Sequence, residues 1–309
     1  MSENAEMHLY APGHAGCPGC GPSIALINLV DALGKDTIIV NPTGCMEITS
    51  SQYPLSAWRV PYIHSLFENA AAVASGISNA LKAKGNNHSR VAVIGGDGSA
   101  YDIGFGALSG MLDRREDVIF ICYDNEQYAN TGVQKSSATP FKAATTTTPV
   151  GSVERGKLTP KKELAEIAAA HGIAYAANAS IAFLPDLRKK IEKCKAVRGP
   201  SVLVVNAPCV LGAGFDGALT IKVARLAVQT RSWHLMEIED GKMKLNFKPK
   251  EFVPVSEYLS LQKRFKYLTP QEVSEIQEII ERNWARRLAL SGEQPYPLAP
   301  ANQQSKASN

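Results

Sequence analysis

The sequence predicts an α/β protein, a doubly wound, mostly parallel sheet with a C-terminal helical extension. Three observations carry this. Strand-like and helix-like patterns alternate through the first two thirds of the chain. Two strand-length runs, 118–123 and 201–206, are apolar throughout, as strands buried on both faces of a parallel sheet are. A third, 90–94, runs straight into Gly95-Gly96-Asp97-Gly98, the kind of strand-to-loop junction at which such sheets bind ligands.

Taken in order, residues 23–33 have helical spacing and lead into a strand at 37–40. An Ala-rich helix at 69–84 stops at Gly85, and the strand 90–94 follows. A helix at 105–112 separates it from the strand 118–123. Beyond a Thr-rich loop at 143–149, helices at 160–171 and 181–197 flank a short strand at 173–177, and the strand 201–206 closes the set. From about Leu211 charged and aromatic residues increase. The last clear element is a helix at 270–290, started by Thr269, whose acidic first turns and Arg-rich end suit the helix dipole. The Pro-, Gln- and Ser-rich tail 294–309 is expected to be disordered or wrapped on a partner. The predicted division is an α/β ligand-binding domain at 1–210 and an extension at 211–309 that packs on that domain and on partner subunits. No internal repeat is visible.

Apolar residues make up 45% and charged residues 20% of the 309, with a formal charge of +4, ordinary values for a soluble protein. No basic stretch is interleaved with aromatics, which argues against nucleic acid. No apolar run reaches the roughly 18 residues of a membrane span. The polar, acidic start Met1-Ser2-Glu3-Asn4-Ala5-Glu6 is the reverse of a signal peptide, so the expected location is the cytoplasm. There, six cysteines point to metal ligation or catalysis rather than a disulfide framework. Cys122, inside an apolar run, and Cys194, in a helical pattern, read as inert. Cys17 and Cys20 form a CxxC, and Cys45 and Cys209 sit beside Gly or Pro in loops. These four thiolates are the number a [4Fe–4S] cube requires, and equally the number of a structural zinc site built from four cysteines. The 24 residues between Cys20 and Cys45 hold about one helix and one strand, so both can lie at one sheet end, which Cys209 reaches after the strand 201–206. Gly16, Gly19, Gly21 and Gly44 permit the turns that such a site needs.

The most informative segment is Gly96-Asp97-Gly98, separated from Asn125 by 26 residues. A diphosphate bridged by Mg²⁺ needs hard oxygen ligands and close backbone approach. Asp97 can supply a carboxylate from the end of one strand and Asn125 an amide oxygen from the end of the next. Gly96 and Gly98 admit the diphosphate, Ser99 and Ala100 beside them are counted with the cofactor-binding residues, and the helix that follows offers its N-terminal N–H groups. Alone, Gly-Asp-Gly also makes ordinary turns. The strand-end Asn one helix and one strand later is what makes the pattern specific.

The runs GGDGSAYDIGFGALSGML and YDNEQYANTGVQKSSATPF resemble the thiamine-diphosphate motif of the β subunits of pyruvate (2-oxoacid):ferredoxin oxidoreductases. So do NPTGCMEI, YPLSAWRVPYIHSLFENAAAVASG and LAVQTRSWHLMEIEDGKMKLNFKPK, and the resemblance spans roughly residues 13–288. It implies a thiamine-diphosphate-binding fold of the diphosphate-module type, with Mg²⁺ held by Asp97, Asn125 and the main-chain carbonyl of Gln127, whose side chain should then tolerate change. Asn130, the one catalytic candidate, would lie beside the thiazolium and substrate, and Thr131 would be a cofactor-binding residue. Gly44, with His64 and Glu68, would belong to the cofactor pocket, the last two on one face if the helix began that early. Capping and packing explain that pair equally well. Cys17, Cys20, Cys45 and Cys209 would hold a [4Fe–4S] cluster.

The reaction implied is oxidative decarboxylation of a small 2-oxoacid, pyruvate favoured, with electrons passed through the cluster to ferredoxin and coenzyme A as an acceptor where the product is a thioester. Branched-chain 2-oxoacids, or oxalate without coenzyme A, use the same machinery. Where many pyruvate-specific relatives have Cys-Gly-Glu, this chain has Cys20-Gly21-Pro22, a departure that bears on the substrate. The Glu that activates the aminopyrimidine, and any two-cluster ferredoxin run, are missing from the sequence. Partners are therefore expected, namely an α-type subunit supplying the Glu, a ferredoxin-like subunit or domain, and ferredoxin itself. A non-redox thiamine lyase with structural zinc, and a non-catalytic electron-transfer subunit, are the rivals from other classes.

Overall fold

A computed structural model describes residues 7–292. The tail 294–309, for which disorder or partner wrapping is expected, lies outside the described residues. The first part of the chain contains α1 (Gly21–Leu33), β1 (Thr37–Pro42), α2 (Cys45–Ile48), β2 (Tyr62–Ser65), α3 (Ala70–Ala83), β3 (Arg90–Gly96), a π-helical turn (Gly98–Asp102), α4 (Phe105–Asp113) and β4 (Ile119–Asp124). After a long loop come α5 (Leu164–Ala169), β5 (Tyr175–Ser180), α6 (Leu184–Ala196), β6 (Ser201–Asn206), α7 (Val210–Ala213) and α8 (Thr220–Gln229). The described chain ends with β7 (Met236–Glu239), β8 (Lys242–Leu245), α9 (Val255–Ser260) and α10 (Pro270–Leu290).

Among the described residues, eight strands form one sheet in the order β2-β1-β3-β4-β6-β5-β7-β8. The first six are parallel, and β7 and β8 continue the sheet antiparallel. Alternate residues of the central strands enter two separate cores, which is why these strands read as unbroken apolar runs. Ala92, Ile94, Ile121, Tyr123, Leu203 and Val205 face the side covered by α1 and α6. Val91, Val93, Phe120, Cys122, Val202 and Val204 face the side built from α3, α4 and α5, to which Val223, Tyr258, Ile276 and Trp284 of the C-terminal helices also contribute. Cys122 and Cys194 are both fully buried, in keeping with inert roles.

The differences from expectation have local causes. The helix expected at 160–171 shortens to α5 because Lys161 and Lys162 are drawn down to buried oxygens: Lys161 Nζ lies 2.7 Å from Asp124 Oδ2, and Lys162 donates its backbone N–H to the Ser137 carbonyl at 3.1 Å. The strand expected at 173–177 runs instead from Tyr175 to Ser180, an Ala-rich stretch whose pairing with β6 overrides a weak intrinsic preference. The β7–β8 hairpin is an addition to the expected elements, although Asp240-Gly241, with φ of 47° and 77°, is a two-residue hairpin turn legible in sequence. The helix α10 starts as expected: Thr269 Oγ1 accepts from the Glu272 N–H at 3.3 Å, and Glu272 Oε2 accepts from the Thr269 N–H at 2.9 Å. Among the described residues no helix is long and apolar enough to cross a membrane.

Candidate active site

Chain order and strand order diverge beside β1: β2 lies on one side of it, and the chain then crosses to β3 on the other. Such a switch point opens a crevice at the carboxyl ends of the strands. Here a cleft of about 290 Å³ is walled by Thr43, Gly44 and Cys45 after β1, Gly96, Asp97 and Gly98 after β3, and Asn125 to Thr131 after β4, except Glu126. Glu68 also lines it. The close approach at Gly98 depends on glycine, since a Cβ there would lie 2.5 Å from Tyr128 Cε1. Ser99 and Ala100 are buried behind the wall, in the π-helical turn, rather than in it. Residues of the cleft that the sequence did not single out include Thr43, Phe67, Tyr123 and Tyr128.

Three polar groups converge in this cleft. The side-chain position of Asn125 that points inward is 2.7 Å from the Gln127 carbonyl oxygen and 2.9 Å from Asp97 Oδ1. With nitrogen there, the amide donates to both oxygens. With Oδ1 there, it accepts the Gln127 N–H at 3.3 Å and turns a third oxygen towards the other two, an arrangement that a cation can bridge. An octahedral Mg²⁺ with metal–oxygen bonds of about 2.0–2.1 Å sets neighbouring ligand oxygens about 2.9 Å apart. The donor set of carboxylate, amide oxygen and carbonyl therefore fits a hard divalent cation. Burial, reinforced by the charge of Asp124, pushes the Asp97 carboxyl well above the usual range, and the hydroxyl of Ser136, donating to Asp97 Oδ2, works against that. A divalent cation at the same point favours the carboxylate outright.

The loop carrying Asn125 and Gln127 is held from beneath by buried charge. Asp124 Oδ2 accepts from Tyr101 Oη at 2.7 Å and meets Lys161 Nζ at 2.7 Å, while Asp124 Oδ1 accepts the Glu126 N–H at 3.1 Å. Glu126 pairs with Lys161 at 3.4 Å and with Arg264. Burial alone would raise the Glu126 carboxyl, but Arg264 and Lys161 hold it low. Burial would likewise depress Lys161, but Asp124 and Glu126 keep it charged.

The four loop cysteines share one region. The CxxC loop packs on the chain leading from β6: a Cβ on Gly19 would lie 2.3 Å from the Gly217 carbonyl oxygen, and one on Gly21 would lie 2.4 Å from that of Pro208. Thr220 Oγ1 donates to the Gly19 carbonyl at 2.6 Å. The same loop reaches α2 through the Ala15 N–H, which donates to the Thr49 carbonyl at 2.8 Å, and through Ser23 Oγ, 3.9 Å from Met46 Sδ. Burial first, then the charges of Cys209, Cys20 and Cys17, push the Cys45 thiol up to about 12, and burial with Cys209 and Cys17 raises Cys20. With Cys45 in the cleft wall, the contacts of the CxxC loop with the Pro208 and Gly217 segments bring these loops to the sheet edge that carries Asp97. Among the described residues no three His, Cys, Asp or Glu side chains converge on a point that one metal ion could occupy. Four cysteine thiols are the donor set of a four-iron cluster, as they are of a single tetrahedral ion.

Two expectations need correction. His64 and Glu68 do not share a helix face, because α3 begins only at Ala70: His64 sits on the edge strand β2 with Nε2 2.9 Å from Thr43 Oγ1, and Glu68 lies in the turn after it. His64 is outside the cleft wall. The side chain of Gln127, expected to tolerate change, is buried at 2% exposure and packs on Gly212. Asn130 and Thr131 lie in the turn that rims the cleft, Thr131 Oγ1 donating to Gln134 Oε1 at 2.6 Å.

Residues 42–205 match the family model described as thiamine pyrophosphate enzyme, C-terminal TPP binding domain. The chain is 48% identical to pyruvate synthase subunit PorB of Methanothermobacter thermautotrophicus over 89% of its own length and 96% of that protein. It is 43% identical to PorB of Thermotoga maritima, over 90% of each chain. It is also 43% identical to ketoisovalerate oxidoreductase subunit VorB of Pyrococcus furiosus, over 93% of this chain and 94% of that one. Among solved structures, a 2-oxoglutarate:ferredoxin oxidoreductase from Magnetococcus marinus, with 2-oxoglutarate, coenzyme A and succinyl-CoA bound, aligns with a TM-score of 0.56 at 20% identity. The alignment covers 72% of this chain and 82% of that one, a likeness of fold.

Proposed function

The chain belongs to the thiamine-pyrophosphate-binding PorB family of 2-oxoacid oxidoreductase subunits, and from that premise we propose that it is the catalytic β subunit of a 2-oxoacid:ferredoxin oxidoreductase with pyruvate as its favoured substrate. The observation that carries the reading is the convergence of Asp97, Asn125 and the Gln127 carbonyl in one cleft with Cys45. Thiamine diphosphate, when bound, supplies the electron sink for loss of CO₂ from a 2-oxoacid, and a [4Fe–4S] cluster supplies a one-electron outlet.

The chain's own residues hold, orient and shield. Asp97, Asn125 and Gln127 would hold Mg²⁺ against the diphosphate, with Gly96 and Gly98 giving it backbone access. The buried Asp124–Lys161–Glu126–Arg264 network fixes the loop between the ligands, so that their spacing is set before the cofactor arrives. Phe67 and Tyr128, ring centroids 5.7 Å apart, wall the cleft against water, and Asn130 offers an amide at its rim. Cys17, Cys20, Cys45 and Cys209 would hold the cluster.

The cleft has no described carboxylate other than Asp97 and the exposed Glu68, so the Glu that activates the aminopyrimidine is assigned to an α-type subunit. Leu66 on the cleft wall is strongly exposed, as are Tyr53 and Leu55 in the loop that leads to β2, an apolar surface suited to that partner. A ferredoxin-like subunit and ferredoxin complete the electron path, in the cytoplasm. Identity to pyruvate synthase subunits, 42–48%, overlaps that to the ketoisovalerate subunit, 43%, so the substrate rests on the wording of the motifs. The test is anaerobic co-purification with partners, metal analysis, and dye reduction with pyruvate, 2-oxoisovalerate, 2-oxoglutarate and oxalate, with and without coenzyme A. A brown complex that bleaches with dithionite and turns over pyruvate with coenzyme A is the expected result. A colourless, zinc-loaded protein would sink the reading.

A further inference from the structure

Both polar atoms of the Gln127 side chain, Nε2 and Oε1, are buried without a hydrogen-bond partner. Native proteins rarely leave an amide in this state, and each case calls for the missing partner to be found. The amide lies against the turn that presents Cys209. A Cβ on Gly212 would come within 1.5 Å of Gln127 Nε2 and 2.1 Å of its Cδ, so the amide fills the space that a side chain at position 212 would need. The Gly212 N–H donates to Cys209 Sγ at 3.5 Å, and Cys209 is the N-cap of the same short turn, Val210–Ala213. One residue thus has its carbonyl beside Asp97 and Asn125 and its side-chain amide on the Cys209 turn.

We propose that Gln127 Nε2 donates to an inorganic sulfide of the [4Fe–4S] centre beside Cys209, and thereby tunes the cluster's potential. The proposal rests on the cluster reading above. Thiolate and sulfide are acceptors, and they carry more negative charge in the reduced cluster. A donor aimed at them therefore stabilises the reduced form and raises the potential. The same contact joins the metal–diphosphate loop to the cluster loop through one side chain, which makes Gln127 a positioning residue for both.

The test uses the intact complex, purified anaerobically. Gln127→Met keeps the buried volume and removes the donor; Gln127→Glu replaces the donor by an acceptor. Iron per chain is counted in each variant, and in those that retain it the cluster midpoint, followed by EPR in a redox titration, moves to more negative potential, furthest in Gln127→Glu. An independent measurement needs no variant. Wild-type complex carrying ¹⁵N in its glutamine side chains should show, in pulsed EPR of the reduced cluster, coupling to one nitrogen. An unmoved midpoint in variants that retain iron, or no nitrogen coupling in the wild type, overturns the proposal. A raised KM for the 2-oxoacid with an unmoved midpoint assigns the amide to substrate and overturns it equally. Zinc in place of iron in the wild type sinks the cluster reading first, and this one with it.

Discussion

Lys161 Nζ and Asp124 Oδ2 lie 2.7 Å apart, with Asp124 fully buried and immediately before Asn125 in the chain. The pair lies under the loop proposed to hold the metal, and a second carboxylate on the same lysine, Glu126, sits between Asn125 and Gln127. Lys161→Met should leave two buried acids short of a cation and destabilise the fold by about 3–5 kcal/mol. Urea unfolding of the variant measures this. A change below about 1 kcal/mol would mean that the loop is held by something else.

Ser136 donates to Asp97 Oδ2 and would act on the proposed metal site through that carboxylate. Partners of ligand carboxylates typically contribute about 10–100-fold in metal affinity. Ser136→Ala should weaken Mg²⁺ by about that factor, read as the Mg²⁺ dependence of thiamine diphosphate binding, with unfolding stability changed by about 1 kcal/mol or less.

Glu272 gives the pH dependence. Its carboxylate accepts from Arg155 Nε at 3.0 Å, and hydrogen bonds from Arg155 push its pKa down to about 2. The folded value lies below the unfolded one, about 4.3. The contribution is therefore complete above roughly pH 4.3 and is lost as the pH falls from there towards about 2. Gln at the same position keeps the cap of α10 but not the charge, so Glu272→Gln should flatten the acid limb of the stability curve. The loss at neutral pH should be about 1 kcal/mol, since a pair this near the surface is screened.

The cysteines should divide cleanly. Cys45→Ser is expected to remove most of the iron, whereas Cys122→Ser and Cys194→Ser, both in packed cores, should retain it. Iron and sulfide analysis of each variant makes the comparison, and equal iron in all three would refute the ligand set.

Gly212→Ala should disturb the Cys209 turn, because its Cβ cannot coexist with the Gln127 amide. Adding Gln127→Ala should recover much of the lost cluster occupancy. Non-additive recovery of iron content is the signature of direct contact; additive losses would place the two residues apart.

Much of this is legible in the chain before folding. The apolar runs that form β4 and β6, the Gly-Asp-Gly at the end of β3 and the capping signals at Thr269 are local patterns, and local patterns survive into the fold. The shortened α5 is not legible, because Lys161 leaves helical geometry for a carboxylate far earlier in the chain, Asp124. Nor is His64 on a strand, since Tyr62–Ser65 pairs only with β1. The burial of the Gln127 side chain depends on the distant turn at Gly212. Spacing could bring Asp97 and Asn125 to one sheet edge, because each follows a parallel strand in the same sheet.

By itself, then, the sequence determined the alternating architecture, the sheet edge that carries Asp97 and Asn125, and the loop positions of the four cysteines. Periodicity and strand-end position are enough for these. Only the tertiary structure decided how Asn125 is supported from below, which glycines the cysteine loops close upon, and that the amide of Gln127 faces the Cys209 turn. Those contacts join segments far apart in the chain, and their partners are chosen by shape and by buried charge, neither of which a linear pattern encodes.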